Sequence, residues 1–195
     1  FGGSLINSSM SDHYLHLIKK TSKIPVVLFP GTNTKISNIA DGFLLLSLIS
    51  GRNPNFLIGK HVEQAFKLKK SSLEIISTGY ILVGNEKNTA VSYISNSSPI
   101  PSEQHDIGAA TAIAGELLGF QLIYLEAGSG STNSVNRNMI LNVSKNIDCP
   151  LIVGGGLNTI EKIEMAFENG ADIVVIGNAV EKNQKILNQI GKIKK

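Results

Sequence analysis

The residues most able to do chemistry lie together, in the run Tyr124-Leu125-Glu126-Ala127-Gly128-Ser129-Gly130. In an extended segment alternate side chains share a face, so Tyr124 and Glu126 point the same way, toward the inside of a barrel. A carboxylate at the open end of such a strand can accept a hydroxyl proton or hydrogen-bond a polyol. The small residues after it offer backbone N–H and hydroxyl donors suited to phosphate. The competing reading makes Glu126 a helix cap or a structural ion-pair partner. Two further turns favour an anion site. Residues 151–153 (LIV) end in Gly154-Gly155-Gly156, and residues 173–176 (IVVI) end in Gly177-Asn178. Glycine lets N–H groups approach phosphate oxygens closely, and consecutive βα turns of this kind build the phosphate site of a (β/α)₈ barrel. Against this stands the plainer role of glycine in tight βα turns.

The remaining reactive side chains carry weaker signals. Arg52, in Ser50-Gly51-Arg52-Asn53-Pro54, follows a strand end and suits either a phosphate or pyrophosphate group or a helix-entry salt bridge. Asp41 and Asp106 read as structural carboxylates. His13, His16, His61 and His105 have no metal-ligand spacing. Cys149, the single cysteine, excludes an internal disulfide and reads as a passive core thiol before Pro150.

The elements that must hold these residues recur at βα spacing. Continuous apolar runs at 25–29, 43–49, 80–83, 122–125, 151–153 and 173–176 suit strands buried on both faces of a parallel sheet. Amphipathic helices are expected at 12–20 (Tyr14, Leu15, Leu17 and Ile18 inward), at 55–70 (Phe56, Leu57, Val62, Phe66 and Leu68) and at 106–118, Ala-rich and tightly packed. A further helix starts near Asn158-Thr159 and stops at Asn169-Gly170. Two places break the repeat. The crossover between Gly31 and Gly42 is too short for an ordinary helix with its loops. Residues 85–104 read as a turn, a short strand at 91–94 and a Pro/Ser loop. A barrel with one degenerate crossover fits better than an open doubly wound sheet. A strandless Gly-Gly-Ser behind Phe1 leads to the expectation that the first βα unit lies upstream of the numbered chain.

With 195 residues, 42% of them hydrophobic, and a net charge of +3, the chain is expected to form one barrel domain, 1–195, without nucleic-acid partners. The longest apolar run, 43–49, is far too short to span a membrane, and no signal peptide is visible, so a cytoplasmic protein is expected.

These segments resemble the geranylgeranylglyceryl phosphate synthase family of prenyltransferases. The matching residues are Gly2-Gly3-Ser4-Leu5, 25–31 (PVVLFPG), 48–54 (LISGRNP), Thr78-Gly79-Tyr80, Tyr93-Ile94-Ser95, 124–130 (YLEAGSG), Gly154-Gly155-Gly156 and 175–179 (VIGNA). The SGRNP-type segment is similar to the larger subgroup of the family. The resemblance implies a modified TIM (β/α)₈ barrel with one helix replaced by an extended segment. It implies transfer of a C20 prenyl group from geranylgeranyl diphosphate to the C3 hydroxyl of sn-glycerol 1-phosphate, with Mg2+ as cofactor. Tyr124, Leu125, Glu126, Ala127, Gly128, Ser129, Gly130, Gly155, Gly156, Gly177 and Asn178 would hold glycerol 1-phosphate. Ser4 would be a magnesium ligand, beside an aspartate upstream of this chain. Glu126 would take the hydroxyl proton and Tyr124 would face the cationic carbon. The prenyl chain would lie at the barrel mouth and along 56–66. A homo-oligomer and a membrane-surface contact that collects the prenyl substrate are also expected. Two alternatives stay open: another phosphate-binding barrel enzyme, of sugar-phosphate isomerase or indole-glycerol-phosphate synthase type, and a non-catalytic phosphate- or lipid-binding barrel.

Overall fold

The computed structural model describes residues 12–31, 36–84, 90–182, 184, 186–191 and 193. Its strands are β1 (Val27–Leu28), β2 (Gly42–Leu48), β3 (Glu74–Leu82), β4 (Leu122–Glu126), β5 (Leu151–Gly154) and β6 (Ile173–Val175). All pair in parallel, each with the next in sequence. A doubly wound sheet reverses its strand order at a switch point, whereas a barrel wall does not. The six strands are thus consecutive staves of a curled, TIM-barrel-type wall.

The helices are α1 (Asp12–Thr21), α2 (Lys60–Lys70), α3 (Ala90–Ser95), α4 (His105–Leu117), α5 (Arg137–Ser144), α6 (Ile160–Glu168), α7 (Asn178–Lys182) and α8 (Ile186–Ile190). Between β1 and β2 no helix occurs among the described residues, in keeping with the short crossover. A π-helical turn, Asn55–Gly59, leads into α2. Thr159 caps α6 by accepting from Lys162 N–H, and Gly170 (φ +107°) follows its C-terminus, as the cap signals imply. The Gly/Ala composition of α4 serves close packing: a Cβ on Gly108 would meet Met139 of α5 at 2.2 Å.

The expected strand at 91–94 is instead helical, as α3. The sheet position beyond β3 is taken by Ile100, whose N–H donates to Leu82 O and whose carbonyl accepts from Gly84 N–H, both at 2.9 Å. With that edge filled, the β-branched and aromatic residues of 91–94 close a helical turn that ends at Asn96 (φ +49°). Helix faces also depart from expectation. Leu15 and Leu68 are buried, but Tyr14, Leu17, Val62 and Phe66 face outward.

Strand alternation divides the core. Outward residues such as Ile81, Ile123, Leu125, Leu151 and Val153 pack against α4, α5 and α6. Inward residues Leu48, Tyr80, Leu82, Tyr124 and Ile152 form a second cluster with Phe29, Leu46, Phe56, Val91 and Leu122 at its margin. Leu15, Leu28, Phe43 and Leu68 form a third, beneath α1 and α2.

Candidate active site

At the carboxyl end of β4 the inward parity ends on Glu126, only 6% exposed. Register pairs Tyr80 of β3 with Tyr124 of β4, so both rings stand in the same layer below it. Their centroids are 5.1 Å apart, and Phe29 closes edge-on against each, at 6.2 Å from Tyr80 and 5.6 Å from Tyr124. Both tyrosine hydroxyls donate to the Glu126 carboxylate, and Gly128 N–H donates to its Oε1 at 2.8 Å. Burial raises the Glu126 pKa, and these three donors oppose the rise. Burial, and then the Glu126 charge, holds both hydroxyls well above the usual tyrosine range, so they remain donors. The result is a carboxylate more basic than usual, held by fixed donors over an aromatic floor.

The glycine turns close around it. A Cβ on Gly154 would lie 2.1 Å from Tyr124 Oη, and one on Gly155 (φ +79°) would lie 2.6 Å from Glu126 Oε1. Gly156 (φ +66°) packs against the 131–134 loop, where a Cβ would meet Asn133 O at 2.2 Å. Gly130 approaches Asn178: its Cβ position lies 3.3 Å from Asn178 Nδ2. Beside Gly177 a Cβ would meet nothing within 4 Å, leaving open space there. The expected glycines, Asn178, Glu126 and Tyr124 therefore share one end of the wall. Ser129 is exposed in the same loop, and Ala127 N–H donates to Gly154 O at 3.0 Å. Leu125 differs: its side chain is fully buried on the helix side, so only its backbone faces these groups. Of the 56–66 segment, Phe56 joins the inner cluster, while Val62 and Phe66 point away from it.

Two residues gain positions the sequence did not reveal. Tyr80 is described above. Lys162, in the first turn of α6, donates from Nζ to Thr132 O (2.8 Å), Asn158 Oδ1 (3.0 Å) and Gly156 O (3.4 Å). It ties the loop after β4 to the loop after β5. A cavity of about 540 Å³ opens on the outer side of that junction, lined by Ala127, Ser131, Arg137 and Lys162 but not by Glu126 or Gly155.

The other candidates lie away from Glu126 and the glycine turns. Arg52 turns back on its own loop, donating to Gly51 O (2.8 Å) and Ile49 O (3.4 Å). Asp41 pairs with Lys19 and accepts from Val26 N–H, and Asp106 accepts from Asn142, both structural. His61 meets Ser47 Oγ at 3.0 Å behind β2. Burial pushes the Cys149 thiol up to about 11, as a passive thiol requires. Ser4, the expected magnesium ligand, lies outside the described residues. Among the described residues no three acidic, histidine or cysteine side chains cluster to hold a metal. Glu126, the carboxylate among the glycine turns, already accepts from three donors. The described residues alone do not make a magnesium site.

Comparison with known proteins identifies the family. Residues 1–194 match the PcrB family. The geranylgeranylglyceryl phosphate synthase of Chitinophaga pinensis is 47% identical over 97% of this chain and 75% of its own length. The synthase of the same name from Thermococcus gammatolerans is 43% identical over 93% of this chain and 71% of its own. The crystal structure of (S)-3-O-geranylgeranylglyceryl phosphate synthase from Thermoplasma acidophilum, in complex with sn-glycerol-1-phosphate, superposes with a TM-score of 0.87. Its identity is 30%, over 94% of this chain and 74% of that one. The chain belongs to the PcrB family, and its relatives at this level of identity are geranylgeranylglyceryl phosphate synthases.

Proposed function

We propose that this chain is a cytoplasmic prenyltransferase that moves a geranylgeranyl group from geranylgeranyl diphosphate to the C3 hydroxyl of sn-glycerol 1-phosphate. The product is the ether-linked geranylgeranylglyceryl phosphate. The observation that carries the reading is Glu126, a buried carboxylate packed among the glycine turns and held by Tyr80, Tyr124 and Gly128. Glu126 takes the C3 hydroxyl proton as that oxygen bonds to C1 of the prenyl chain. The bond from C1 to the diphosphate oxygen breaks, and its electron pair leaves with pyrophosphate. Positive charge developing on C1 is stabilised by the Tyr124 ring. The phosphate of the acceptor is held by the loops at 128–130, 155–156 and 177–178.

Glu126→Gln tests the reading. Turnover should fall roughly a hundred- to ten-thousandfold, the range of a lost proton acceptor, with the melting temperature not lowered. Retained turnover in a folded variant refutes it. Magnesium dependence is a separate expectation, and no step above passes through the ion: chelation with EDTA should abolish turnover, and readdition should restore it. Self-association, also expected, is tested by sedimentation velocity, where a monomer at every concentration counts against it.

A further inference from the structure

Helix α2 is amphipathic in an unusual sense, because its outer face is apolar as well as basic. Leu68 anchors it to the core. Phe66 lies two residues earlier, about 200° round the helix, and so points almost directly away from the protein. It is 84% exposed. Val62 (67% exposed) stands one turn before it and Ile58 (59%) one turn before that, giving a stripe with a spacing of four. Lys69 and Lys70 follow Phe66 at i+3 and i+4 and flank the stripe on both sides. With Lys60, Lys67 and Glu63 included, α2 carries +3, as much as the whole chain. Lys60 pairs with Glu63, while Lys67, Lys69 and Lys70 are exposed and make no ion pair among the described residues. Across the Leu15–Phe43–Leu68 cluster, α1 shows the same character, with Tyr14 and Leu17 exposed near Lys20.

Folding has no use for large apolar side chains in water, and a protein partner would favour a face without clustered lysines. Helix α4 offers that contrast: its exposed Ile107 and Leu117, with Leu118 at its C-cap, belong to a helix without one lysine or arginine. Apolar side chains flanked by long cationic ones match instead the depth profile of a lipid interface. The apolar groups enter the acyl boundary, and the ammonium groups snorkel to anionic headgroups. No described helix is long and apolar enough to cross a membrane, so the contact is peripheral. We propose that the outer face of α2 and of the π-helical turn before it, centred on Ile58, Val62 and Phe66 and flanked by Lys67, Lys69 and Lys70, docks this protein on an anionic lipid bilayer. The proposal stands whether or not the chain transfers a prenyl group.

Co-sedimentation with vesicles tests it, comparing phosphatidylcholine alone with phosphatidylcholine mixed with phosphatidylglycerol. The full chain should pellet with the mixed vesicles and be released by salt. Val62→Ser with Phe66→Ser should weaken partitioning at least about tenfold. Each of Lys67→Gln, Lys69→Gln and Lys70→Gln should cost about fivefold on the mixed vesicles and little on phosphatidylcholine. Melting temperatures should be unchanged, because these side chains are exposed. Failure to pellet, or equal pelleting of all variants, overturns the proposal. So does a fall in sedimentation coefficient of the Val62/Phe66 variant with vesicle binding intact, which makes the face a contact between copies of the chain.

Discussion

Gly154→Ala puts the proposed constellation under the most specific stress, because the added methyl group would strike Tyr124 and not the phosphate loops. The new Cβ would stand 2.1 Å from Tyr124 Oη, where ordinary contact begins at 3.4 Å, so about 1.3 Å must be opened. Tyr124 has little freedom to yield. Its ring is held between Tyr80 and Phe29 at 5.1 and 5.6 Å, and the residue is 1% exposed. Overpacking of this kind costs about 1–3 kcal/mol. For a chain of this size that lowers the melting temperature by about 2–12 °C. Displacing the hydroxyl by about an ångström also loosens its hydrogen bond to Glu126, and a misplacement of that size costs turnover roughly a hundredfold. Differential scanning calorimetry and steady-state kinetics on one preparation read both effects. Gly177→Ala is the control, since a Cβ there meets nothing within 4 Å. It should leave the melting temperature alone and raise KM for glycerol phosphate with kcat largely kept. A Gly154→Ala protein with normal stability and turnover refutes the tight Tyr124–Glu126 packing.

Three further outcomes follow from the same contacts. Tyr80→Phe removes a hydroxyl that lowers the Glu126 pKa, so the acid limb of the kcat/KM profile should move to higher pH. The raised pKa of Glu126 means the folded protein binds that proton more tightly than the unfolded chain. Its penalty therefore grows as pH rises from about 4.5 through the folded value, and the Glu126→Gln protein should gain melting temperature relative to the parent over that interval. Lys162→Met breaks the tie between Thr132, Asn158 and Gly156, and should raise KM for glycerol phosphate about tenfold with a smaller effect on kcat.

Much of the wall was legible because buried parallel strands are written as continuous apolar runs. β2, β4, β5 and β6 fall within a residue or so of those runs. β3 begins six residues earlier than its apolar stretch, since Glu74, Ser77 and Thr78 are polar and only the pairing with β2 makes them strand. The shared face of Tyr124 and Glu126 followed from a period of two within one segment. Tyr80 was invisible as their partner, because its layer is set by register between strands more than forty residues apart. Lys162 belongs to the same class: its oxygen partners lie on two different loops. Hydrophobicity alone misassigned Val62 and Phe66, because an apolar face reads identically whether it meets a core or another surface.

Transfer itself is the most direct measurement. Radiolabelled sn-glycerol 1-phosphate is incubated with the protein, geranylgeranyl diphosphate and magnesium, and the mixture is extracted with an organic solvent. Label should enter the organic phase with one pyrophosphate released per ether formed, and Glu126→Gln should stop both together. Binding of glycerol 1-phosphate without any extractable product, or product formation unaffected by Glu126→Gln, contradicts the account.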